Sequence, residues 1–210
     1  MVALFYRSTP HFVVEAVERF GSNVMGFQVV TGEQRWYIVG AYVAPKDEET
    51  METVVAAIGR KPRGAELMVV GNFNADITAP EGNRRAENIA TDLATAGLED
   101  MAQHFMPRGR RWNRDRRTWD MRQKGQVVRS RTDYIKGTDS RLFKNVAVRD
   151  PWHNSDHYMV LGCLPSVPLL ETKRYLGGTK AVASEATNRT FTDRHSLCGS
   201  TEIRPKAKSC

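Results

Sequence analysis

A layered α/β sandwich is the fold class that this sequence predicts. Three observations carry the expectation. Strand-like and helix-like segments alternate along the chain. The run Leu67-Met68-Val69-Val70 is short, wholly apolar and stops at Gly71. Two segments of helical period, 47–59 and 84–96, flank it. A strand that is apolar on both faces needs cover on both, and helices in the connections supply it on one side.

The elements follow in order. Residues 2–7 read as a short strand. Residues 10–20 stay ambiguous: Phe12, Val13, Ala16, Val17 and Phe20 fit a helical stripe, while Phe12-Val13-Val14 fits a strand. Residues 24–30 and 35–43 read as strands joined by a turn at Thr31-Gly32-Glu33, the second apolar enough for burial on both faces. Asp47, Glu48 and Glu49 favour a helix start, and Gly59 and Pro62 close that helix. In 84–96, Ile89, Leu93 and Ala96 share one face and Gly97 is the stop. Residues 126–136 and 157–164 read as late strands. The folded domain is expected over 1–164. Residues 165–210, rich in Ser, Thr, Lys and Arg without apolar period, read as a disordered tail.

Composition narrows the function. No stretch of 18 apolar residues exists, so no membrane span is expected, and the N-terminus lacks a signal-peptide pattern. Cys163, Cys198 and Cys210 show no zinc spacing and read as reduced thiols, which fits a nuclear or cytoplasmic rather than secreted protein. The net charge is +7, yet the segment from Arg108 to Arg131 alone carries ten basic residues against two acidic ones, a local +8. Such a concentration is the footprint of a polyanion binder. A solvated flexible loop is the alternative. Trp112 and Trp119 inside the segment favour the binder, because aromatics among arginines suit stacking on bases.

Four short motifs stand at predicted strand ends: Ala41-Tyr42-Val43-Ala44-Pro45, Gly71-Asn72-Phe73-Asn74-Ala75-Asp76, Arg131-Thr132-Asp133-Tyr134-Ile135 and Asn154-Ser155-Asp156-His157. Phosphodiester hydrolysis needs an activated water, charge neutralisation on phosphorus and help for the leaving oxygen. A hard divalent cation with oxygen ligands and a carboxylate-held His are suited to these tasks.

As a set and in this order, the motifs resemble the endonuclease/exonuclease/phosphatase superfamily, and within it the endonuclease domain of LINE-type (non-LTR) retrotransposons. The Thr118-Trp119 pair ahead of Asp133 is similar to that family's Thr-(aromatic)-Trp loop. The resemblance implies that His157 is the catalytic histidine, oriented by Asp133. It implies that Asp156 contributes to a Mg2+ (or Mn2+) site, that Asn74 donates to the scissile phosphate, and that Tyr42 sits at the phosphate or leaving group. It implies DNA as partner and a reverse transcriptase domain in the parent element. The expected nucleic-acid contacts are Arg108, Arg110, Arg111, Trp112, Arg114, Arg116, Arg117, Thr118 and Trp119. His11, His104, His153 and His195 have no such company and read as ordinary histidines.

Two departures from the family pattern bear on activity. Asn72 stands where the family's Gly-Asp-x-Asn motif has a carboxylate, and an amide cannot accept a proton. The strands that end in the family's first Asn and its metal-ligand Glu are not visible, so the fold is expected without its first strands and with an uncovered sheet face and edge. Asp76, two residues past Asn74, is expected to point elsewhere. Three readings follow: a Mg2+-dependent DNA endonuclease domain impaired in this copy, a non-catalytic relic that at most binds nucleic acid, and a small-molecule phosphatase of the same fold. The +8 segment weighs against the third, since a small substrate needs no extended basic surface.

Overall fold

A computed structural model describes Val2 and residues 12–105, 117–123, 126–149 and 155–164. The expected first strand, the tail 165–210 and most of the arginine-rich segment lie outside these residues.

The ambiguous segment 10–20 is a strand, β1 (Val13–Arg19). It pairs antiparallel with β2 (Val24–Thr31), which pairs through the predicted Gly32-Glu33 turn with β3 (Gln34–Tyr42). Pairing decides the matter: the strand register leaves Val14, Ala16 and Glu18 half-buried on one face, while Val13 and Val17 stay exposed on the other.

Helix α1 (Glu49–Ile58) crosses over and returns the chain as β4 (Glu66–Asn72), parallel to β3. Asp47 accepts the Thr50 backbone N–H at 3.0 Å and also meets the Thr50 hydroxyl, which covers a donor that the first turn cannot satisfy internally. These bonds hold the Asp47 carboxyl below its usual range. Helix α2 (Arg84–Thr95) follows, capped by the Asn83 side chain on Ala86 N–H and ended by Gly97 at φ 71°.

The predicted strand 126–136 is two strands. β6 (Trp119–Gln123) and β7 (Gln126–Ser130) form a separate antiparallel hairpin, and β8 (Asp133–Gly137) re-enters the main sheet beside β4. The break at Arg131-Thr132 has a cause. Arg131 turns inward to Asp100, and the Thr132 N–H goes to the Thr118 hydroxyl at 2.9 Å instead of a sheet partner. The short β5 (Glu99–Asp100), α3 (Met101–Phe105) and β9 (Asn145–Arg149) were not expected. β9 pairs antiparallel with β10 (Met159–Cys163), which lies within the predicted 157–164.

The main sheet has the order β1-β2-β3-β4-β8-β5. Its two faces carry different clusters. Tyr37, Val39, Leu67, Val69 and Tyr134 join Met51 and Val54 of α1 and Ile89 and Leu93 of α2. The alternate residues Trp36, Met68 and Ile135 pack with Met101, Phe143 and Val146. Met25, Ile38 and Val70 on that second face are only partly buried. Period-two alternation therefore assigns Tyr42, Asn72 and Asp133, at the ends of their strands, to the face away from the helices. At Gly71 a side chain is excluded outright, since a Cβ would collide with the backbone of Ala41 in β3. Among the described residues no helix is long and apolar enough to cross a membrane.

Candidate functional site

The site grows from one line of cross-strand partners. Tyr42 of β3 pairs in register with Asn72 of β4, and Asn72 pairs with Asp133 of β8. Directly opposed residues share a face with their Cβ atoms about 5 Å apart, so three of the four sequence motifs deliver their polar residues to one row. The pairing runs past the strand ends: Val43 N–H donates to Asn72 O and Phe73 N–H to Thr132 O, both at 2.8 Å.

The fourth motif arrives from the β6–β7 side. Trp119 bridges to His157, Asp120 N–H donates to Asp156 O at 3.0 Å, and Tyr158 N–H donates to Thr118 O at 2.8 Å. The Ser155 hydroxyl accepts the His157 N–H at 3.0 Å and shapes the turn. His157 Nδ1 then lies 3.0 Å from Asp133 Oδ2. An ionised carboxylate only accepts, so Nδ1 carries the proton and Nε2 is the nitrogen left for chemistry. Both side chains are partly exposed, His157 at 34% and Asp133 at 21%. The predicted pair is formed.

Asp133 is held from behind by two hydroxyls. Thr132 donates to its Oδ2 at 2.9 Å, and Thr118 Oγ1 accepts the backbone N–H of both Thr132 and Asp133 at 2.9 Å. Thr118 is wholly buried. Its expected role as a nucleic-acid contact is therefore corrected: it braces the Asp133 backbone and cannot meet a ligand. Thr132 was missed. A hydroxyl immediately before the Asp was its only signal.

Arg117 and Trp119 are also engaged. Arg117 Nε lies 3.2 Å from Asp120 Oδ1, its guanidinium stands over the Tyr158 ring at 5.6 Å, and its side chain is 18% exposed. Trp119 donates its indole N–H to Asp156 Oδ2 at 3.0 Å. Arg108, Arg110, Arg111, Trp112, Arg114 and Arg116 lie outside the described residues, as does Asn154.

Asn74 sits apart from the row. It adopts φ 48°, its Nδ2 donates to Val43 O at 3.1 Å, and its own carbonyl accepts from Arg85 at 3.0 Å. Arg85 also reaches Ala44 O at 2.8 Å and so ties the loops after β3 and β4 to α2. Burial pulls the Arg85 pKa down, against the attraction of Asp47 and Glu48. Asp76 turns away as expected, accepting from the Thr78 backbone and hydroxyl.

The implied Mg2+ (or Mn2+) can be tested against the donors. Among the described residues no three His, Cys, Asp or Glu side chains gather as a metal-holding set. Asp156 gives one oxygen to the Trp119 indole, Asp133 gives Oδ2 to both His157 and Thr132, and Asn72 carries no charge. These residues do not fit the site that the resemblance implies, and Asp156 reads here as the partner of Trp119.

No family model matches the sequence, and no curated protein matches it. Solved structures do match. The chain aligns with the 3′ phosphatase NExo from Neisseria, solved with a product DNA hairpin, at TM-score 0.56 and 20% identity over 73% of this chain and 72% of that one. It aligns with an endonuclease/exonuclease/phosphatase family protein from Leptotrichia buccalis at TM-score 0.51 and 17% identity, covering 68% of this chain and 53% of that one. It aligns with D. rerio TDP2, complexed with a single-strand DNA product, at TM-score 0.50 and 17% identity, covering 70% and 64%. The mixed sheet, with α1 and α2 on one face, and these matches together give the chain the endonuclease/exonuclease/phosphatase fold.

Proposed function

We propose that this chain is a DNA-directed phosphodiesterase-type domain of LINE retrotransposon endonuclease lineage whose cleavage activity is impaired. One observation carries the reading: His157 and Asp133 are paired at 3.0 Å beside the Tyr42-Asn72-Asp133 row at the end of the main sheet. Asp133 fixes the imidazole with its proton on Nδ1, so that Nε2 accepts a proton in the neutral ring and, in the imidazolium form, gives one to a leaving oxygen or a hydrogen bond to a phosphoryl oxygen. Tyr42, 37% exposed, offers its hydroxyl to the same phosphate. Asn74, apart from the row, keeps one amide hydrogen beyond its bond to Val43 O as a further donor.

The impairment rests on Asn72. A positioned base contributes about 10²–10⁴-fold to such a reaction, and an amide cannot be one. Among the described residues the donor set also does not fit a divalent cation, which in this chemistry polarises the phosphoryl oxygen and generates the nucleophile. DNA is the proposed partner, gripped through the basic segment from Arg108 to Arg117. A reverse transcriptase in the parent element, and a nuclear or cytoplasmic location, belong to the same proposal.

Supercoiled plasmid incubated with the full chain and Mg2+ tests the reading, with mobility shift and nicking read on the same samples. The expected result is retarded plasmid without nicks. Absence of any shift at low salt removes the DNA reading. Robust nicking that His157→Ala abolishes removes the impairment.

A further inference from the structure

His157 and Asp133 reach each other from different parts of the fold. Asp133 is built into β8 of the main sheet, whereas His157 stands in the irregular stretch between Ser155 and β10. That stretch is held by the β6–β7 hairpin. Tyr158 N–H donates to Thr118 O at 2.8 Å, Asp120 N–H donates to Asp156 O at 3.0 Å, and Trp119 bridges to His157 between them. Residues 156–158 therefore run along β6 as a short seam. So short a pairing is marginal by backbone bonds alone, and side chains tie it on both sides of His157. Before it, the Trp119 indole donates to Asp156 Oδ2 at 3.0 Å. After it, the Tyr158 hydroxyl donates to Asp120 Oδ2 at 3.2 Å. Asp120 is 25% exposed and faces two guanidiniums, Arg117 at 3.2 Å and Arg129 at 3.7 Å. Arg117 Nε and Asp120 Oδ1 are buried, and neither makes a hydrogen bond among the described residues. The arginines thus neutralise the carboxylate, while the directional contact is the bond from Tyr158, whose ring lies under the Arg117 guanidinium at 5.6 Å.

We infer that Asp120 and Tyr158 are positioning residues of the candidate site: the bond between them fixes the stretch that carries His157 and so sets whether Nδ1 meets Asp133. The inference rests on the proposed reading of the His157–Asp133 pair as the reacting centre. It adds that the geometry of the pair is governed from the hairpin. With the Tyr158–Asp120 bond made, the seam is closed one residue after His157, the imidazole is held against Asp133, and Nε2 is left facing away from the carboxylate. With the bond removed, the stretch is tied on one side only. The imidazole then turns more freely, its Nδ1 proton loses the carboxylate for part of the time, and the form protonated on Nε2 gains. A hydroxyl donating to an ionised carboxylate is among the stronger hydrogen bonds, which suits it to this task.

The test uses the full chain labelled with 15N at about pH 9, where a histidine with the ordinary pKa of about 6.5 is neutral. Ring 15N–1H correlations give the ratio of the Nδ1–H to the Nε2–H form, and the His157 signals are identified by their absence from His157→Gln. Tyr158→Phe, Asp120→Ala and the double variant are compared with the parent chain. Asn83→Ala, which loosens the cap of α2, controls for a loss of stability alone. The ratio is expected to fall about two- to tenfold in each single variant, the weight of one hydrogen bond. The double variant should fall no further than Asp120→Ala, because both changes remove the same bond. Asn83→Ala should leave the ratio unchanged. Unaltered backbone signals from α1 and β3 show that a variant is folded. If Asp120→Ala unfolds because it strands Arg117, Tyr158→Phe, which keeps every charge, decides alone. An unchanged ratio in Tyr158→Phe overturns the inference, and so does an equal fall in Asn83→Ala. Asp133→Ala separates this failure from that of the proposed function. A ratio that Asp133→Ala moves and Tyr158→Phe does not overturns the inference and leaves the His157–Asp133 pair standing. A ratio that Asp133→Ala does not move removes both.

Discussion

Tyr134 shows how a residue outside the row fixes its geometry. Its hydroxyl accepts the Ile77 N–H at 3.0 Å and donates to Arg131 O at 2.8 Å, so it ties the loop after β4 to the residue that opens the break before β8. Its ring lies under the Arg131 guanidinium at 4.6 Å. Tyr134→Phe leaves a buried N–H and C=O without that partner, and the expected cost is about 1–3 kcal/mol in urea unfolding. The pH dependence has a definite sign. Burial, with Asp76 adding to it, raises the folded phenol above its ordinary value of 10.0. As pH rises the unfolded chain loses this proton first, so the stability present below pH 10.0 is lost above it. The fall in unfolding midpoint above that pH should be shallower in Tyr134→Phe, with a remainder from Tyr37, which burial raises in the same direction. Identical alkaline slopes for the two proteins would remove this account. None of this could be read from Arg-Thr-Asp-Tyr. The partnership of Asp133 with His157 was legible only through the family resemblance of the ordered motifs, and the two side chains meet at 3.0 Å. Burial of Thr118 was not, because it sits among arginines and its partners come from Thr132 and Asp133, far along the chain.

At the scale of elements, legibility follows period and length. Helix α2 matched the segment 84–96 closely because its apolar stripe repeats over three turns and Gly97 ends it. Its first turn carries a further signal, since Asn83 accepts the Ala86 N–H at 3.1 Å. Asn83→Ala should lower stability by about 1 kcal/mol, whereas Asn83→Ser should hold it, in the same urea measurement. Equal midpoints for the two variants would show that the cap contributes nothing. Strand β3 was legible for the same reason as α2. The short elements were not. β5 spans two residues and exists through its pairing with β8, and α3 exists because Met101 and Ala102 fill the cluster beneath Phe143. Such elements are set by tertiary contacts rather than by local pattern. The segment 126–136 misled for a related reason: no Gly or Pro marks a break in it, but Arg131 turns to Asp100 across the molecule.

At the scale of the whole molecule, the charge of the basic segment divides into two kinds. Arg131 counts toward the +8 in the sequence, yet its side chain is 3% exposed and it meets Asp100 at 2.7 Å. That guanidinium cannot release counterions from a nucleic acid. Arg129 is half exposed and 3.7 Å from Asp120, in a pair that water and salt weaken. The logarithm of DNA affinity should fall linearly with the logarithm of salt concentration, each phosphate neutralised contributing about 0.9 to the slope. Arg129→Ala should reduce that slope by up to one such unit with little change in stability, if the β6–β7 hairpin lies against the DNA as part of the basic surface. Arg131→Met should do the reverse, since breaking a buried pair strands Asp100 at a cost of about 3–5 kcal/mol. Because that cost alone can unfold the domain, the informative protein is the double variant Arg131→Met with Asp100→Leu, which replaces both charges by apolar groups. It should recover stability and keep the parental salt slope. A loss of a full unit of slope in the double variant would mean that Arg131 leaves Asp100 to reach phosphate, and that the buried pair is not part of the DNA-bound state.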